Sequence, residues 1–348
     1  MSEKNAIEIA AVLGGIVLVL LIIVVRPFSR FEEKYPMAAA SGSAVSGGAV
    51  GEGPGDRAAG PNGAGHSGDT VAGADGTGQT ANGAVSGSAV SDSVTGSPLV
   101  HAAGGTLETR VDVPEGYTRT PEDEKSLGSF LRAYKLKKDG SPVRLYNNKK
   151  KSNQNAHIAV FRLPIEKEDL QQCADSVMRV YAEYFRATGE ESRIRFTLTE
   201  DFHAEYKKWR EGYRIIENGD SYEWEDRAEF DASDQNFKKF MRIVFAYSGT
   251  YSLVDDSKKV KLGDIRIGDI FINAGSPGHV VMVVDMCENA DGKKAFLLAQ
   301  GYMPAQQFHL LKNPAHEADP WYYVDEVTYP FRMPEYTFEK DCLRRPTY

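Results

Sequence analysis

GDIFINAGSPGHVVMVVDM, residues 268–286, is the stretch on which the reading of the fold turns. Gly268 and Asp269 suit a turn, Asp269–Asn273 reads as a short strand, AGSPG as a loop, and His279 opens a strongly apolar strand to Met286. A third run, Lys294–Gln300, follows the turn formers Asn289, Asp291 and Gly292, so the segment predicts an antiparallel set of three strands. If the hairpin closes symmetrically about Asn289 and Ala290, Asp285 faces Lys294 and His279 faces Gln300, which puts ring and amide on one face. A slip of one residue would send Gln300 to the other side.

Upstream the periodicity changes. Leu170, Cys173, Val177, Tyr181 and Tyr184 recur at helical spacing with Gly189 as the stop, and Cys173 falls in the first turns. A second helix is predicted over Asp234–Ser248, capped by Ser233 or Asp234, with Phe237, Phe240, Met241, Val244 and Phe245 on its buried stripe. Glu124–Tyr134 reads as a short helix, and Pro142–Tyr146, His157–Leu163 and Arg193–Thr199 as strands. The run Lys149–Lys151 between two of them reads as a solvated turn, and the segment from Trp209 to Trp224 has no clear period. Helices first and an antiparallel sheet afterwards give an α+β class.

The N-terminal third is of another kind. Ile9–Val25 is 17 residues without a charge, close to the ~20 needed to cross a bilayer. Residues 1–36 are therefore expected to be a transmembrane anchor with its flanks, inserted through residues 7–25. Residues 37–105, rich in Gly, Ala and Ser, cannot bury enough apolar area to offset ordering entropy and are expected to be a disordered linker. Residues 106–348 remain as one globular α+β domain. Arg26, Arg30 and Lys34 follow the apolar segment, which by the positive-inside rule argues for a cytoplasmic domain. The tether composition argues for a domain carried outward, and the outward, extracytoplasmic reading is the one adopted.

The anchor region balances four basic against four acidic residues, and the tether sets Arg57 against five carboxylates, leaving −4 of the total −8 on the folded part. No basic patch is implied, so nucleic acid is not an expected partner. Three cysteines, Cys173, Cys287 and Cys342, are too few for a disulfide scaffold. The histidines show no spacing of metal-ligand quality, and no cofactor is expected.

Two side chains carry the chemical reading. A thiol at a helix N-terminus meets unpaired amides and the positive end of the macrodipole, which favour a thiolate. His279 could serve as its base, with Gln300 holding the ring. Gln172 or backbone amides beside Cys173 would face an oxyanion, and Arg179 and Tyr302 would bind substrate. Against this, Cys173 shares a stripe with Leu170 and Val177, and a free cysteine there is equally a core residue.

The strings LGSFLRAYKLKKDGSPV, DLQQCADSVMR, FAYSGTYSL, LLAQGYMPAQ and DPWYYV, in this order with the opening stretch, resemble a bacterial domain-of-unknown-function family, number 4846. That resemblance implies no activity. More distantly, the order of helix-borne cysteine, Gly-Asp strand, His-opened strand and polar residue on a third strand resembles papain-like cell-wall endopeptidases and amidohydrolases. It implies helices packed on an antiparallel sheet in a papain-like arrangement, with Cys173, His279 and Gln300 as catalytic residues. The expectation is a single-pass envelope protein acting on cell-wall peptide or glycan as a cysteine amidase or peptidase. The alternative is a non-catalytic binding or scaffolding module of the same fold.

Overall fold

The computed structural model describes residues 99–348. The expected anchor, and the linker as far as residue 98, lie outside them. Among the described residues no helix is long and apolar enough to cross a membrane.

The chain begins with α1 (Leu107–Arg110), β1 (Tyr117–Arg119), α2 (Leu127–Arg132) and β2 (His157–Val160). The long helix α3 (Cys173–Thr188) precedes β3 (Arg195–Thr197) and β4 (His203–Glu205). Then come α4 (Tyr206–Arg210), the hairpin β5 (Tyr213–Asn218) and β6 (Ser221–Asp226), α5 (Asp234–Tyr247) and α6 (Thr250–Asp255). The C-terminal half is strand-rich: β7 (Ser257–Lys259), β8 (Ile270–Asn273), β9 (His279–Asn289), β10 (Lys294–Gln300), β11 (His309–Leu311) and β12 (Tyr322–Tyr323). It closes with β13 (Phe331–Arg332), β14 (Thr337–Phe338) and β15 (Leu343–Pro346).

The class is α+β, built on a nine-stranded sheet whose pairings are antiparallel. Its path runs β2-β11-β10-β9-β8-β15-β7, with β1 added to β9 and β12 to β10. Period-2 alternation sorts β9 and β10 onto two cores. Val280, Met282, Val284, Leu297 and Ala299 face α3 and α5 and pack with Val177, Met178, Phe185, Phe240 and Met241. Val281, Val283, Phe296 and Leu298 point the other way, onto Phe271, Phe331, Phe338 and Tyr322. Both faces are dry, which is why β9 reads as an unbroken apolar run.

The β9–β10 register differs from the symmetric hairpin. Lys294 lies opposite Glu288 and Leu297 opposite Asp285, while beyond a bulge Leu298 lies opposite Val283. The loop is one residue longer than expected because Gly292, at φ 78°, takes the left-handed position that ends a three-residue hairpin loop. The loop and the bulge together move the far end by two positions. A shift of two keeps each side chain on its face, so Gln300 stays on the side of His279.

Two further expectations give way. Pro142–Tyr146 forms only isolated bridges, at Arg144 and Leu145. The unread segment around the tryptophans is α4 and the β5–β6 hairpin, with Trp209 buried and donating from Nε1 to Asn236 Oδ1 at 2.8 Å. Residues 99–105 are structured with the domain: Val100 bridges Val111, and the Gly104 carbonyl accepts from the buried Arg110 guanidinium at 2.6 Å.

Candidate functional site

Helix α3 starts where its residues make it start. Gln172 is the cap in extended conformation, and its amide donates to Asp175 Oδ2 at 2.9 Å. Ser176 Oγ donates back to the Gln172 carbonyl at 2.7 Å. Gly189, at φ 77°, ends the helix in the left-handed position. Cys173 is thus the first helical residue, and Leu170, which the spacing puts on the helix, lies before the cap.

That position does not ionise the thiol. Cys173 is 6% exposed and packs in the helix-side core with Val280. Burial, reinforced by the neighbouring Asp175 carboxyl, pushes the thiol up to about 12, against the backbone groups of Ala174 and Val280 that favour its charged form. Asp175 is itself pushed up to about 8 by burial, and its Oδ1 is buried without a hydrogen-bond partner.

His279 opens β9 among aromatic rings. Its ring stands 4.7 Å from the rings of Tyr302 and Tyr336 and 6.1 Å from Phe338. Its Nε2 lies 2.8 Å from Gln300 Oε1, so the ring donates and the amide oxygen accepts. Burial holds His279 down at about 4, the Gln300 bond pulling up and the Lys151 charge pushing down. The structure therefore brings together His279, Gln300 and Tyr302, with the Cys173 thiol beside the Val280 backbone and near Tyr302. No hydrogen bond joins thiol and ring, and both are neutral at pH 7.

Gln300 is the hub of a larger buried cluster. Its Nε2 donates to Glu335 Oε2 at 2.9 Å and lies 3.4 Å from Nε2 of the buried His309. The Nδ1 of His309 faces the Gln307 carbonyl at 2.8 Å, which places the proton on Nδ1. Glu335, in the turn between β13 and β14, also takes the Lys151 ammonium and the Asn153 amide, the latter at 3.0 Å. Tyr302 Oη donates to the Glu335 backbone carbonyl at 3.2 Å. Lys151 is consequently buried, not part of a solvated turn as its neighbours suggest. Nothing local marked it, because its partner is 184 positions away.

The remaining expected site residues disperse. Arg179 is 3% exposed, paired through Nη2 with Glu183 Oε1 at 2.6 Å and stacked on Phe237 at 5.3 Å, so it holds α3 to α5 and lines no groove. Gln172 Nε2 donates to Asp169 Oδ1 at 3.2 Å. Among the described residues no group of three or more His, Cys, Asp or Glu side chains could hold a metal ion.

The cluster has measurable consequences for stability. Glu335→Ala strands the buried Lys151 charge and removes an acceptor from Gln300, so urea denaturation should show a loss of about 2 to 3 kcal/mol. Glu335→Gln should recover part of it; a loss within experimental error for both variants would exclude the hub.

A second consequence concerns acid. The unfolded His279 ring takes a proton near its ordinary 6.5, whereas the folded ring refuses one until about 4. Its stabilising contribution is complete above 6.5 and disappears as pH falls towards 4. Asp175 works in reverse, since it holds a proton in the fold up to about 8, and it is common to both proteins when wild type is compared with His279→Gln. Between pH 7 and pH 4.5 wild type should lose more stability than the variant, by up to about 3 kcal/mol, because each tenfold change in proton affinity is worth ~1.4 kcal/mol. Parallel stability curves would show that the ring is not held neutral.

The family described as Domain of unknown function (4846) matches residues 107–345. No curated protein and no solved structure matches the chain.

Proposed function

This chain belongs to the domain-of-unknown-function family 4846, and we propose that it is a membrane-tethered, non-catalytic binding module of the cell envelope. Residues 7–25 anchor it, and the globular domain stands outside the cytoplasm, carried by the Gly/Ala/Ser-rich tether to wall peptide or glycan. One observation carries the non-catalytic reading: the Cys173 thiol is buried and held neutral, and no hydrogen bond joins it to the His279–Gln300 pair. A thiol at about 12 with no base in contact is a small core residue.

The test uses the full chain, reconstituted in detergent micelles and mixed with purified cell-wall sacculi. Wild type and Cys173→Ala should sediment with the sacculi equally and release no soluble fragments. Fragment release by wild type that Cys173→Ala abolishes would overturn the proposal.

The second reading, a papain-like cysteine amidase or peptidase, is favoured by the order Cys173, His279, Gln300 and by the 2.8 Å ring–amide bond. It requires that the buried thiol ionise and make contact with the imidazole. The same sacculus experiment separates the two.

A further inference from the structure

The turn between β13 and β14 carries a carboxylate into the domain. Glu335 stands at the tip of a hairpin that forms a two-stranded sheet of its own, with Pro334, Glu335 and Tyr336 half-buried. Its side chain reaches donors from two distant segments. Oε2 accepts from the buried Lys151 ammonium and from Gln300 Nε2 at 2.9 Å, and Oε1 accepts from Asn153 Nδ2 at 3.0 Å. Its main-chain carbonyl accepts from Tyr302 Oη at 3.2 Å. Among the described residues, every hydrogen bond between Pro334–Tyr336 and segments outside the hairpin ends on Glu335.

The donors hold their places without it. Gln300 is fixed through Oε1 by the His279 ring at 2.8 Å. Lys151 is fixed by its main chain, the amide donating to the Val143 carbonyl at 3.0 Å and the carbonyl accepting from Gln154 Nε2 at 2.7 Å. Asn153 Oδ1 accepts from the Asn155 amide at 3.0 Å. A slot set up independently of what fills it is preorganised for binding. Its positive character is not used up either: burial pushes Lys151 below its ordinary value, and the Glu335 carboxylate offsets that only in part.

We propose that Lys151, Asn153, Gln300 and Tyr302 form a receptor for an acidic residue of a peptide, and that Glu335 is an internal stand-in which fills it until such a ligand displaces the turn. The contacts of the stand-in define the ligand. Three donors converge on a carboxylate, so a neutral side chain would leave the Lys151 charge unanswered. The fourth takes a main-chain carbonyl placed as in a glutamyl residue, a group that a simple sugar acid lacks. The inference rests on the binding-module reading and gives that module a ligand class and a built-in competitor.

Isothermal titration of the full chain in detergent micelles tests it, with the α-amides of N-acetylglutamate and N-acetylglutamine, propionate and glucuronate as probes. Glu335→Ala should bind the glutamate compound with a dissociation constant on the order of 1 mM, about tenfold tighter than wild type does and about tenfold tighter than the glutamine compound. Adding Lys151→Met, which also removes the stranded charge, should abolish that binding. Adding Tyr302→Phe instead should weaken the glutamate compound about threefold and leave propionate unchanged. Glu335→Gln refills the slot without charge, should bind between wild type and alanine, and carries the test if the alanine variant does not fold. Propionate binding without the glutamate compound would mark a closed ion-pair slot and overturn the receptor. Equal affinity for the glutamate and glutamine compounds, or no saturable binding by either variant, would overturn it too. Glucuronate bound as tightly as the glutamate compound would overturn the peptide assignment. The module reading is decided separately, by sedimentation of wild type with sacculi.

Discussion

Replacing Asp285 by alanine should cost about 3 to 5 kcal/mol in urea denaturation, the largest single-residue loss expected from a polar side chain here. Its carboxylate is wholly buried, and it accepts from Arg119 Nε at 2.8 Å and Arg132 Nε at 2.7 Å. It also takes the Met286 amide at 2.8 Å. Arg132 goes on to the carbonyls of Thr120 and Met286, and Arg119 to that of Val111, so the node fastens α2 and β1 to β9. The bulge in β9 creates it: two consecutive residues, Val284 and Asp285, are aimed at the helix side. Without the carboxylate two guanidinium groups keep their charge with their main partner gone. Asp285→Asn, which keeps acceptor oxygen but no charge, should fall between wild type and alanine. A loss below about 1 kcal/mol for alanine would mean that solvent reaches the arginines and the node is not buried.

Much of this fold is legible in the sequence, and what is not has a common cause. Local signals place the stop of α3 at Gly189 and the Ser233 cap of α5, because caps act within one turn, whereas the apolar stripe runs past the true start of α3 to Leu170. The parity of the His279–Gln300 pair is also legible, even though the register behind it is not. The symmetric hairpin misses both the Gly292 loop and the bulge, and the two errors cancel to an even shift. Lys151, Arg179 and Asp285 are illegible for one reason: each is buried against a partner or packing surface supplied by a distant segment, and single-sequence patterning treats an isolated charge as exposed.

The second large effect is a rate, and it bears on the claim that the thiol is buried, neutral and not activated by the ring. A thiol raised from 9.0 to about 12 carries roughly a thousandfold less thiolate near neutral pH than a free one. Burial of Cys173, 6% exposed, reduces access further. Cys287 and Cys342 are buried thiols as well, so the reaction must be resolved site by site.

Iodoacetamide labelling of the native full chain at pH 7.5, followed by peptide mass spectrometry, is the most direct measurement. Cys173 should react at least about a hundredfold more slowly than in the urea-unfolded chain, and His279→Gln should leave that rate unchanged. Native labelling as fast as in the unfolded chain, slowed by His279→Gln, would put the imidazole beside the sulfur and contradict the account.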